Sequence, residues 1–214
     1  VDAALTAADR VIGGGQAAYA AVRPPGHHAG TDYFGGSCYL NNAAITAQYL
    51  IDAGIGRIGI IDIDAHHGNG TQQVFYERGD VVYMSVHIDP GMGWYPHWSG
   101  FADEIGEGPG KGFNHNLPLA PGDGDDEMRT AVEELAALVS GTTCDALVVS
   151  LGVDSGAADE NSPLTVTADG FAQVGRALGS LGLPTVLVHE GGYNLTSLET
   201  DLAAVLTGFS EALA

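Results

Sequence analysis

The run Arg57–Ile63, RIGIIDI, carries isoleucine at both even and odd positions, so a strand built from it has no face to offer water. A strand of that kind belongs inside a parallel sheet covered on both sides by helices. Similar runs occur at Ala18–Val22, Val81–Val86, Ala146–Leu151 and Thr185–Val188. Helical patterns fall between and after them, at Asn41–Ile51, Thr71–Glu77, Glu127–Val139, Ala168–Leu181 and Thr196–Leu213. The alternation predicts an α/β fold of three layers around a mostly parallel central sheet. A chain of 214 residues, 45% of them hydrophobic, is large enough to bury one core, and it reads as a single domain over 1–214. The Gly-rich segment Asp89–Pro121 has little periodicity and reads as a long functional connection.

In open α/β sheets, ligands bind beyond the carboxyl ends of the strands. Four of those ends carry reactive groups here: His27 and His28 after the first strand, and Asp64, His66 and His67 after the second. Asp154 and the group His189, Glu190, Tyr193 and Asn194 supply the other two. Five of the eight histidines lie in these turns, more than polar loops collect by chance. Side chains alternate along a strand, so Asp62, Asp64 and His66 share one side while Ile63, Ala65 and His67 take the other. Buried paired carboxylates must take up a proton unless a cation compensates them. Two ligands close in sequence and one from a distant loop is a catalytic-metal pattern, with Asp64 and His66 as the close pair and Asp154 as the distant partner. Asp62 then stands behind them, holding a histidine or a monovalent cation. Gly68, Asn69 and Gly70 suit a tight turn, with Asn69 also placed to orient a histidine. Alone, an Asp-x-Asp at a strand end is usually only a turn feature; here all the roles are filled together.

The charge balance narrows the partners. There are 27 acidic residues against 7 basic ones, a net charge of −20. Such a surface repels nucleic-acid phosphates and anionic membranes and attracts cations. It suits a concentrated-salt cytoplasm, where screening acts over roughly 3 Å at 1 M, or equally an acid-biased composition. No apolar run reaches the ~18–20 residues of a membrane span, and the first residues show no signal-peptide pattern. The only cysteines, Cys38 and Cys144, are isolated in sequence, which argues against disulfides and thiolate metal sites and suits a reducing cytoplasm.

The segments RPPGHHAG, CYLNNAAITA, DIDAHHGNGTQQVFY, DPGMGWYPHWSG, SLGVDSG and HEGGYN together resemble the histone deacetylase superfamily, nearest to its bacterial and archaeal class II-like deacetylases and acetylpolyamine amidohydrolases. The resemblance implies the arginase–deacetylase fold and hydrolysis of an acetyl amide on an amine, either a protein lysine or a polyamine. It implies Asp64, His66 and Asp154 as ligands of Zn2+ (or Fe2+, Co2+ or Mn2+), and His27, His28 and Tyr193 as catalytic groups. Asp62 and Asn69 would be the partners of those histidines. It also implies a K+ site at Asp62, Asp64, His66 and Ser85, a channel formed by Gly36, Ser37, Tyr95, Gly191 and Gly192, and, in the polyamine branch, a homodimer. Three departures are visible. Ser37 stands where an aromatic residue commonly walls the channel, Ser162-Pro163 where Asp-Pro is frequent, and only Val1–Val22 precedes RPPGHH, leaving a sheet edge expected to be open. The alternative is a short, non-catalytic domain that binds acetylated ligands or partners.

Overall fold

The computed structural model describes residues 1–213. Its strands are β1 Ala17–Ala20, β2 Ile58–Asp62, β3 Val81–Ile88, β4 Asn114–Leu119, β5 Ala146–Leu151 and β6 Thr185–His189. Its helices are α1 Asp2–Ile12, α2 Asn42–Asp52, α3 Asn69–Phe75, α4 Asp125–Gly141, α5 Ala168–Gly179 and α6 Leu198–Leu213. The strands form one sheet in the order β1-β6-β5-β2-β3-β4, and every pairing is parallel.

The two parities of β2 pack into opposite layers. Ile58 and Ile60 join Val148, Val186 and the buried faces of α1 and α2. Ile61 and Ile63 join Val149, Leu187 and the buried faces of α4, α5 and α6. A strand with apolar side chains on both parities needs both layers, so the composition of RIGIIDI and the three-layer architecture are one fact. Among the described residues, no helix is long and apolar enough to cross a membrane.

Local chemistry sets the helix ends. The Asn41 side chain accepts from Ala44 N and Thr167 Oγ1 from Gly170 N, each satisfying a first-turn amide. Asp125, Asp126 and Glu127 place negative charge at the positive end of α4.

Two elements depart from expectation. β4 lies inside the segment 89–121, where a connection without secondary structure was expected. Its sequence, NHNLPL, is polar, and its Pro118 is tolerated because β4 is an edge strand. Helix α1 was not foreseen because its buried stripe, Ala4, Ala7, Ala8 and Val11, is built mainly of small side chains. β1 forms the other sheet edge.

The register places the functional turns. Ala20, Val188, Ser150, Asp62, Ser85 and Asn116 form one row across all six strands. Chain leaving β1, β6, β5 and β2 just past this row emerges on one edge of the sheet.

α5 and α6 cross closely at Gly175 and Gly208. A methyl group on Gly208 would overlap the Ala172 carbonyl, and one on Gly175 the Val205 carbonyl. Gly208→Val should therefore destabilise the fold by ~1–3 kcal/mol through overpacking, read as a lower urea midpoint with an unchanged m-value.

Candidate functional site

The turns after β2 and β5 bring Asp64, His66 and Asp154 together, with one donor atom from each lying within 4.8 Å of the others. Both aspartates are buried. His66 Nδ1 is 3.0 Å from Asp154 Oδ2 and 3.2 Å from Asp64 Oδ1. His66 Nε2 faces the carbonyl oxygen of Asn161 at 3.0 Å, an acceptor only, so Nε2 carries hydrogen and donates. That leaves Nδ1 as the atom aimed between two carboxylates. The other carboxylate oxygens are fixed by backbone amides: Asp154 Oδ1 accepts from Ala65 N at 2.8 Å, and Asp64 Oδ2 from Gly191 N at 2.8 Å. No side chain fits at Gly152 or Gly191, where a methyl group would strike these carboxylates.

The electrostatics show what this arrangement demands. Burial opposes charge on His66, yet its hydrogen bonds to Asp154 and Asp64 push its pKa up to about 11. Burial and the Asp64 charge push Asp154 up to about 6. Asp64 is also buried, but the cationic His27 and the contacts from His66 hold it well below the carboxylate range. Two buried carboxylates facing an imidazole thus seize a proton in place of a cation. An imidazole nitrogen with two carboxylate oxygens suits a borderline divalent ion, so the residues present fit a metal.

The tandem histidines are pulled apart electrostatically although their ring centroids are 4.0 Å apart. His27 Nδ1 donates to Asp62 Oδ2 at 3.0 Å, and Tyr83 Oη donates to the same oxygen at 3.2 Å. Burial disfavours the charged ring, but Asp62 and Asp64 outweigh it and push His27 up to about 10. His28 Nδ1 meets Asn69 Oδ1 at 2.8 Å, while Asn69 Nδ2 donates to Tyr33 Oη at 3.1 Å, which fixes the amide orientation. Burial and the neighbouring His27 charge hold His28 well below its ordinary pKa, leaving Nε2 as a neutral acceptor.

Tyr193 is half-exposed after β6. Burial of its hydroxyl and the charges of Asp64 and Asp154 raise its pKa, so the phenol keeps its proton. Gly192, at φ 141°, turns the chain toward it in a conformation that favours glycine. Tyr95 meets His28 edge-on at 4.7 Å between centroids. Gly36 lies against the His28 ring with no room for a methyl group, and Ser37 is exposed at φ 63°. This wall is therefore largely backbone. Ser85 sits opposite Asp62 in the register, and its Oγ is engaged by His87 Nδ1 at 2.7 Å.

Some residues sort differently from their neighbours in sequence. His67 is buried on the far side, with Nε2 3.1 Å from Gln72 Oε1, and burial keeps it neutral. His189 leaves the cluster and meets Tyr19 edge-on at 6.2 Å. Two contributors carry no assignment from sequence. Asp159 Oδ2 accepts from Tyr193 N at 2.6 Å and Asn194 N at 3.1 Å, anchoring the tyrosine turn. Glu190 Oε2 accepts from Gly26 N at 2.6 Å and His27 N at 3.0 Å, anchoring the histidine turn. Only their position, just beyond β5 and β6, could have drawn attention to them.

A cation entering the Asp64, His66 and Asp154 cluster must displace the His66 proton. Between pH 6 and 11, its apparent affinity should therefore rise by about tenfold per pH unit, with one proton released per ion. Calorimetric titration of Zn2+ in buffers of different ionisation enthalpy measures that proton. Affinity independent of pH between 6 and 8 would contradict the assignment.

A sequence profile of the histone deacetylase domain matches residues 1–209. The chain is 46% identical over 209 residues to acetylpolyamine amidohydrolase 1 of Pseudomonas aeruginosa, covering 98% of this chain and 60% of that protein. It is 48% identical over 206 residues to acetylpolyamine amidohydrolase of Burkholderia pseudomallei, covering 96% and 60%. The crystal structure of acetylpolyamine aminohydrolase from Burkholderia pseudomallei superposes with a TM-score of 0.95 at 46% identity, covering 98% of this chain and 61% of that one. The HDA15 HD domain superposes at 0.91 with 35% identity, covering 99% and 60%. The chain thus spans about 60% of the length of the curated acetylpolyamine amidohydrolases it matches. The all-parallel six-stranded sheet and these superpositions agree with the arginase–deacetylase fold, and the chain belongs to the histone deacetylase family.

Proposed function

We propose that this chain carries the centre of a zinc-dependent amidohydrolase that removes an acetyl group from an amine and releases acetate. The observation that carries this reading is the pair of unlike histidines beside the Asp64, His66 and Asp154 donors, one held charged and one held neutral. When bound, the cation polarises the amide carbonyl and lowers the pKa of water. His28 Nε2 accepts the proton of the attacking water, its Nδ1 being committed to Asn69. His27 stays charged against Asp62 and balances the negative charge that builds in the transition state. The protonated phenol of Tyr193 donates to the developing oxyanion. His28 then returns its proton to the departing amine.

The substrate class follows from charge and shape. A groove of about 660 Å3 opens beside Asn69, lined in part by Tyr33, Trp98, Glu77 and Glu104. Aromatic faces and carboxylates on a chain with net charge −20 suit an alkylammonium. Trp98 meets Tyr95 edge-on at 5.3 Å, continuing the wall from His28 to this groove. Together with the acetylpolyamine amidohydrolases among the relatives, this favours an acetylated polyamine over an acetyl-lysine protein. A K+ ion at Asp62, Asp64, His66 and Ser85 completes the proposal.

Acetate release from acetylpolyamines and acetyl-lysine peptides tests the reading, with zinc added or chelated. Turnover should require the metal and favour the polyamine; tight binding without acetate would instead support a non-catalytic domain. Tyr193→Phe should lower kcat by ~10²–10³-fold, the effect of losing one oxyanion donor. Asp159→Ala should lower kcat by up to ~100-fold by misplacing Tyr193, and should also weaken zinc binding, because its Oδ1 holds Asn161, whose carbonyl orients His66.

A further inference from the structure

A second group of metal-binding side chains lies behind the first. His27, Cys38 and Glu190 come from three separate turns, are all buried, and each place a donor atom within 4.8 Å of the others. The isolation of Cys38 in sequence gave no sign of this. Glu190 is only 4% exposed, and its Oε1 has no hydrogen-bond partner although Oε2 serves two backbone amides. An orphaned buried carboxylate oxygen is costly and calls for a donor or a cation. The fully buried Cys38 Sγ donates to the Gly36 carbonyl at 3.4 Å and faces the His28 backbone amide. His27 commits Nδ1 to Asp62, which leaves Nε2, 3.7 Å from Asp64 Oδ1, as its available donor.

We infer that His27, Cys38 and Glu190 form a second cation site, selective for thiophilic ions such as Zn2+ and Cd2+, whose filling switches hydrolysis off. A thiolate, an imidazole and a carboxylate match the ligands of tetrahedral zinc, whose donor atoms stand about 3.3–3.8 Å apart. With donor atoms within 4.8 Å of one another, the three side chains must draw closer to reach that spacing. Binding releases two protons to solvent, the thiol proton of Cys38, since the thiolate is the ligand, and the Nε2 proton of the charged His27. It also ties up His27 Nε2, so His27 can no longer carry the positive charge the reaction uses. The inhibitory consequence rests on the proposed hydrolysis; the binding does not.

The probe is Cd2+, added to protein already loaded with one equivalent of Zn2+ and followed by the ultraviolet thiolate-to-cadmium charge-transfer band. The first centre contains no sulfur and is silent in this band. Wild type should develop the band at one added equivalent, and Cys144→Ser should keep it. Cys38→Ser should lose it. Glu190→Gln should weaken Cd2+ binding by more than the ~10–100-fold that loss of an outer contact costs. Asp154→Asn, disabled at the first centre, should retain the band, so the second site is decided even if no acetylated amine is hydrolysed. In the active protein, Cd2+ or a second equivalent of Zn2+ should lower turnover at least tenfold, and Cys38→Ser should remain active and resist. A wild-type protein without the band, or a band that follows Cys144, overturns the second site. A band without loss of turnover overturns the switch.

Discussion

Two carboxylates buried within hydrogen-bonding distance of one imidazole nitrogen set the terms for everything around them. Asp64 and Asp154 cannot both stay ionised in that place without a positive charge between them. The backbone amides of Ala65 and Gly191 hold the two carboxylates in position, and the Asn161 carbonyl decides which nitrogen of His66 faces them. The glycines at 152 and 191 follow from the same demand, since any side chain there would push the carboxylates apart. The site is thus a pre-strained electrostatic problem whose solution is a cation. Its ligands sit in the short turns directly beyond the ends of β2 and β5, pinned there by backbone amides.

The two histidines show how neighbouring residues of one type acquire opposite states. They are adjacent in sequence with tilted rings in contact, yet one faces a carboxylate and the other an amide oxygen. A neutral acceptor can orient a ring without charging it, and the charge on the first ring then suppresses charge on the second. The difference between an aspartate and an asparagine, at positions 62 and 69, divides the labour.

Much of this was legible in the sequence because it is periodic. The apolar runs gave five of the six strands, with Ala146–Leu151 matched residue for residue and the others within two residues at each end. Asp64, His66 and Asp154 could be grouped because carboxyl ends of parallel strands share an edge. What escaped lacked bulky apolar side chains. β4 opens on Asn114, His115 and Asn116 and carries a proline, and its hydrogen bonds, not its side chains, make it a strand. Helix α1 hides its stripe in alanines. The roles of Asp159 and Glu190 depend on backbone amides 34 and 164 residues away, a relation no local pattern encodes. His67 was correctly separated from His66 by alternation, but its burial among Gln72 and His87 belongs to the fold alone.

The single row Ala20, Val188, Ser150, Asp62, Ser85 and Asn116 has a bearing on how such a chain can change. Every group in the site is measured outward from that row by a fixed, small count of residues. Inserting one residue within β5 or β2 would displace a ligand by about 3.3 Å and turn it to the opposite layer. Inserting several beyond Asn161 or within the segment 96–112 would leave all of those counts intact. Variation in length is therefore tolerated in the connections rather than within the strands.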